Sequence, residues 1–76
     1  MEILAGRNAV REALRAGRRR VQRVLVARGV AERGTVADIL RLCRQSAIDL
    51  SRADRAELDR LGSRVRHQGV VAQVSS

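Results

Sequence analysis

The chain has 76 residues; 45% are hydrophobic and none is Phe, Tyr or Trp. That is one small domain rather than a multi-domain enzyme, and a chain of this size buries only about 60–65% of the surface it would expose unfolded. With 16 basic against 8 acidic residues the formal net charge is +8, which points to a polyanionic partner. A single cysteine, Cys43, excludes an internal disulfide and a cysteine-based zinc site, and with one histidine besides no metal centre is expected. No run approaches the roughly 18 apolar residues of a membrane span, and the opening Met-Glu-Ile-Leu-Ala-Gly lacks the basic-then-apolar order of a secretion signal. A cytosolic location with no membrane partner is the expectation.

In chain order, Ile3-Leu4 makes a short opening strand. Arg7 to Ala16 carries Val10, Ala13 and Leu14 at helical spacing, and Gly17 stands where a left-handed cap ends that helix. Val21 to Ala27 is β-branched and apolar through its middle, like a strand covered on both faces. Thr35 with Asp38 makes a capping-box-like start for a second helix, with Val36, Ile39, Leu40, Cys43 and Ala47 as its buried stripe. Ile48-Asp49-Leu50 is a short strand. Ser51 with Asp54 repeats the cap signature, Leu58 and Leu61 face inward, and Gly62 stops a short third helix. Val70 to Val74 closes the chain as a strand. This alternation predicts a compact, monomeric α/β layer fold with a mainly parallel sheet, in which Val24, Leu25, Val26, Leu40 and Val71 are buried. A three-helix DNA reader is excluded, because the strands at 21–27 and 70–74 have no place in it.

The charge is concentrated at the front. Residues 7–33 carry a net +7 and residues 34–63 a net zero. On a helix, Arg7, Arg11, Arg15 and Arg18 line one face, with Glu12 as their only relief in the same segment. Like charges at this spacing repel by a few tenths of a kcal/mol per pair, a cost that a polyanion reverses. Arg19 and Arg20 extend the positive region past Gly17, and the first turn at Gly6-Arg7-Asn8-Ala9 leaves backbone N–H groups free to meet phosphate. All sixteen basic residues are Arg, so an Arg-rich genome is the competing explanation of the stripe. Without aromatic rings to stack bases, recognition rests on guanidinium planes, phosphate and ribose contacts and shape, which suits a folded RNA stem or loop better than an extended strand.

His67 has two readings: a contact to ribose or phosphate, or a hydrogen-bonded holder of the turn into the last strand. No Ser, Asp or Cys is tied to it by spacing, so a catalytic triad has no support. Cys43 falls on an apolar stripe and reads as core. Asp49, Asp54, Glu57 and Asp59 read as caps and helix-surface partners.

Gly6-Arg7-Asn8-Ala9-Val10 with Leu14, the strand Val24-Leu25-Val26 and above all His67-Gln68-Gly69-Val70-Val71-Ala72 resemble the N-terminal substrate-binding domain of SpoU-type RNA 2′-O-ribose methyltransferases, over nearly the entire chain. The resemblance implies an α/β/α domain like those of small ribosomal proteins that bind bent RNA stems. Together with the charge pattern on and past the first helix, it makes Gly6, Arg7, Asn8, Arg11, Arg15, Arg18, Arg19, Arg20, Arg66, His67 and Gln68 candidates for RNA contact. Two positions depart from those relatives: Ala5 stands where an aromatic often precedes the glycine, and Ala9 replaces an acidic residue. The resemblance further implies that S-adenosylmethionine and the catalytic residues belong to a knotted domain following residue 76, so that residues 1–76 carry no catalytic site and no cofactor. The implied partners are ribosomal or transfer RNA and that C-terminal domain. The rival reading is a free-standing ribosomal-type RNA-binding protein; the His67-Gln68-Gly69 ending favours the methyltransferase.

Overall fold

The first strand, β1 (Glu2–Ala5), leads through Gly6 into helix α1 (Arg7–Ala16), which runs to strand β2 (Val21–Ala27). Helix α2 (Thr35–Gln45), strand β3 (Asp49–Ala53), helix α3 (Arg55–Gly62) and strand β4 (Val70–Val74) follow. This computed structural model describes residues 2–17, 19–62 and 66–75. Helix α1 stops as its sequence predicts: Gly17 is left-handed at φ 64° and donates its N–H to the Ala13 carbonyl. No helix among the described residues is long and apolar enough to cross a membrane.

The four strands form one mixed sheet in the order β1-β4-β2-β3. Only β2 and β3 pair in parallel; β4 lies between β1 and β2 and runs antiparallel to both. The expectation of a mainly parallel sheet is therefore corrected. Its cause is α3: with eight residues it spans only about 12 Å, and the chain enters β4 at the end of the sheet it had just left. There Ala27 donates to the Gly69 carbonyl at 2.8 Å, Gly6 to that of Val70 at 2.9 Å and Arg28 to that of Ala53 at 2.9 Å.

Strand register builds the core in rows. Leu4, Ala72, Val24 and Leu50 are partners across the four strands, and so are Ala5, Val71, Leu25 and Ser51. Successive rows face opposite sides. The first side packs Val24, Val26, Val70, Ala72 and Val74 against Val10 of α1 and Val36, Ile39 and Cys43 of α2. The other packs Leu25, Ala27 and Val71 against Leu58 of α3. Val24, Leu25, Val26 and Val71 are buried as expected, whereas Leu40 is half-buried. Cys43 is 2% exposed within this core, which bears out its packing role, and the same burial raises its thiol to about 11.

Three local expectations fail. Thr35 does not cap α2: Gly34 holds that position, without a side-chain cap bond. Ser51 is not a cap either, because pairing with Leu25 draws it into β3, which spans Asp49–Ala53 rather than 48–50. Ala47 lies beyond α2 and is exposed. It sits at φ 54°, its N–H reaching the Arg44 carbonyl and the Ile48 N–H that of Cys43 at 2.9 Å. This is the double bond that ends helices with a left-handed residue, normally Gly. Ala47→Gly is expected to stabilise the fold by up to ~1 kcal/mol, readable as a rise in thermal midpoint of about 4–8 °C.

Candidate nucleic-acid interface

The connectivity sends α1, α2 and α3 out from the carboxyl ends of β1, β2 and β3, so all three helix N-termini gather where β4 begins. The N-terminus of α1 has neither a side-chain cap at Gly6 nor an acidic residue in its first turn, so the N–H groups of Arg7, Asn8 and Ala9 have no intrahelical acceptor. Positive partial charge and free donors at such a terminus suit phosphate.

Gly6, Arg7, Asn8, Arg66, His67 and Gln68 come together at this end. The Arg7 Nε–H donates to the Gln68 carbonyl at 3.0 Å. Arg66, His67 and Gln68 line a cleft of about 470 Å³ with Arg55 and Asp59. The sequence reading missed Arg55 and Asp59, both from α3. His67 is 7% exposed: its Nδ1 accepts the Gly69 N–H at 2.9 Å and its Nε2 lies 2.5 Å from Asp59 Oδ1. An Nδ1 that accepts carries no proton, so the neutral ring bears its hydrogen on Nε2 and donates it to the carboxylate. Its hydrogen bonds are those of the turn-holding reading. The tie to Asp59 spans eight residues, a separation no periodicity reveals. With both ring nitrogens engaged, His67 has no lone pair free for a general base.

The turn held by His67 is tight. The Val70 N–H bonds the His67 carbonyl at 3.0 Å, and both central residues are left-handed, Gln68 at φ 50° and Gly69 at φ 83°. Such a turn favours Gly, Asn or Asp, and a Gln there costs about 1–2 kcal/mol.

The remaining candidates lie elsewhere. Arg11 and Arg15 converge on Asp38 of α2, at 3.5 and 3.7 Å, and Arg41 joins from the other side at 3.3 Å. Arg11 also reaches Thr35 Oγ1 at 3.5 Å. The stripe on α1 is thus relieved by a carboxylate on a second helix, not by Glu12 alone, and it ties α1 to α2. Arg19 pairs with Glu2, and with Arg20 it borders a groove at the opposite end of the sheet, beside Leu14 and Ile48. Arg18 lies outside the described residues.

The hydrogen bond from Arg41 holds the Asp38 carboxyl below its ordinary 3.8, desolvation opposing it and the charges of Arg41, Arg15 and Arg11 adding to it. A depressed folded value gives stability that is present above the unfolded value and lost as the pH falls through the folded one. Asp38→Asn is therefore expected to lower the thermal midpoint at neutral pH, and its acid-unfolding curve to meet that of the wild type only below pH 3.8.

Among the described residues, Arg7, Arg20, Arg23, Arg33, Arg44, Arg55 and Arg66 have no carboxylate within 4.0 Å. Four of these seven, Arg7, Arg33, Arg55 and Arg66, belong to the end where the helices start. The model of a family described as RNA 2′-O ribose methyltransferase substrate binding matches residues 3–76. No curated protein matches the chain.

Proposed function

The chain belongs to the RNA 2′-O-ribose methyltransferase substrate-binding family, and from that premise we propose that it grips structured ribosomal or transfer RNA at the end of the sheet where its helices begin. The observation that carries this reading is the coincidence there of four arginines without a carboxylate partner among the described residues and an uncapped α1 N-terminus free of acidic residues. Guanidiniums and backbone N–H groups fix phosphates and so set the position of the RNA.

Transfer of a methyl group from S-adenosylmethionine to a ribose oxygen needs a pocket for an adenosine and a sulfonium cation. The cleft beside His67 is lined by Arg55 and Arg66, whose charge repels a sulfonium, and it offers no apolar slot for the base. This cleft does not fit the cofactor. We propose that cofactor binding and catalysis belong to a separate knotted domain of a cytosolic methyltransferase, and RNA capture to residues 1–76; the family to which residues 3–76 belong supports this division.

Fluorescence anisotropy with an RNA hairpin and with an unstructured RNA of equal length tests the reading. The hairpin is expected to bind at least tenfold more tightly at 0.1 M salt. Equal affinities would make the chain a general polyanion binder.

A further inference from the structure

Phosphate contacts by Arg7, Arg55 and Arg66 treat ribose and deoxyribose alike, whereas a ribose 2′-hydroxyl both donates and accepts a hydrogen bond. A neutral side chain that carries both a donor and an acceptor can match both functions of the hydroxyl at once. Among the residues lining the cleft, Arg55 and Arg66 only donate, Asp59 is an anion and His67 has both ring nitrogens engaged. Gln68 alone brings a free amide, exposed at the rim.

Its backbone is unusual as well. Gln68 sits at φ 50°, where Gly or Asn would be at ease, and three contacts hold it there: Arg7 Nε on its carbonyl, His67 Nδ1 on the next N–H, and the Val70 N–H on the His67 carbonyl. Strained positions held by their surroundings cluster at functional sites, and unlike Ala47, which ends a helix, Gln68 stands at the rim of the cleft.

We propose that Gln68, held in place by the neutral His67 ring, hydrogen-bonds a ribose 2′-hydroxyl and so makes the domain select RNA by its sugar. His67 is the positioning residue and Gln68 the specificity-determining one. This rests on the RNA-binding reading above and names the group that the same surface recognises.

The test uses three hairpins of one sequence: RNA, DNA, and RNA methylated at its 2′-oxygens, which keeps the A-form shape and removes the hydroxyl donor. The wild-type chain is expected to prefer RNA over both others by about tenfold. Gln68→Gly, which relaxes the turn, is expected to weaken RNA binding five- to tenfold and to leave DNA and methylated RNA unchanged, so that the three converge. His67→Asn keeps an acceptor near the Nδ1 position and is expected to retain selectivity. His67→Gln keeps only the Asp59 side of the ring and is expected to lose it. Equal losses on all three hairpins with Gln68→Gly, or none, would overturn the proposal while leaving RNA binding intact. If the wild type binds no hairpin, the broader reading fails instead. Should either His67 variant not fold, ring ¹⁵N shifts of the wild type decide: a protonated Nε2 with a bare Nδ1 is expected, and the opposite tautomer removes the basis for positioning.

Discussion

Replacing Arg7, Arg55 and Arg66 together by Gln weakens RNA-hairpin binding by about 100-fold or more at 0.1 M salt. Each phosphate neutralised contributes roughly −0.7 to −0.9 to the slope of log affinity against log salt, or about five- to eightfold in affinity per tenfold dilution of salt. Removing three phosphate-binding charges therefore flattens the slope by about two to three units. Stability changes by no more than about 1 kcal/mol, since none of the three has a carboxylate partner among the described residues and only Arg7 holds a backbone carbonyl, that of Gln68. Two comparisons locate the effect. Arg11→Gln with Arg15→Gln flattens the slope by less than one unit, because Asp38 already neutralises part of their charge. Arg20→Gln with Arg44→Gln, near the opposite end of the sheet, serves as the control for charge alone. If that pair lost as much affinity per arginine as the triple variant, the basic surface would act without a preferred face.

The elements that sequence patterning located were those whose signals are local. Helix α1 announces itself by Val10, Ala13 and Leu14 on one side and by Gly17 at its end, and β2 by an apolar run without a helical break. Strand direction was not legible, because it depends on how far α3 carries the chain back, and nothing in Arg55 to Gly62 states that α3 will fail to cross the sheet. The cap signatures at Thr35 and Ser51 misled for a related reason. An i, i+3 pair is a weak motif, and it yields to a glycine already in the cap position or to strand pairing with Leu25. The site was half legible. Gly6-Arg7-Asn8 and Arg66-His67-Gln68 stand sixty residues apart in sequence and meet through the bond between Gly6 and Val70. Their resemblance to one family pointed to both ends of that meeting. What the sequence hid was charge pairing between elements. Asp38 takes up Arg11 and Arg15, and Asp59 takes up His67, so a stripe that looks free on a helical wheel is a seam, and a lone histidine is a bracket.

Gly69→Ala is expected to cost about 2–4 kcal/mol, through two separable causes. The first is conformational: at φ 83° a residue with a Cβ is strained by about 1–2 kcal/mol. The second is steric. A Cβ on Gly69 would lie 2.7 Å from Cγ2 of Val30, and β-branched Val30 has little rotamer freedom with which to retreat; such overpacking costs about 1–3 kcal/mol. Gly69 also carries the hydrogen bonds to His67 Nδ1 and from Ala27, so a shift of the turn unsettles the start of β4 and the end of β2 together. For a 76-residue chain total stability is on the order of 4–11 kcal/mol, and the thermal midpoint is expected to fall by some 10–25 °C. Gly17→Ala separates the two causes: Gly17 is left-handed at φ 64° with nothing within 4 Å of its Cβ position, so it loses only the conformational part. The double variant Gly69→Ala with Val30→Ala removes the obstructing methyl and is expected to recover more stability than the Val30→Ala loss alone would allow, a coupling of about 1 kcal/mol or more between touching residues. A Gly69→Ala midpoint equal to that of Gly17→Ala, or strict additivity with Val30→Ala, would show that the turn moves freely and that Val30 does not fix it.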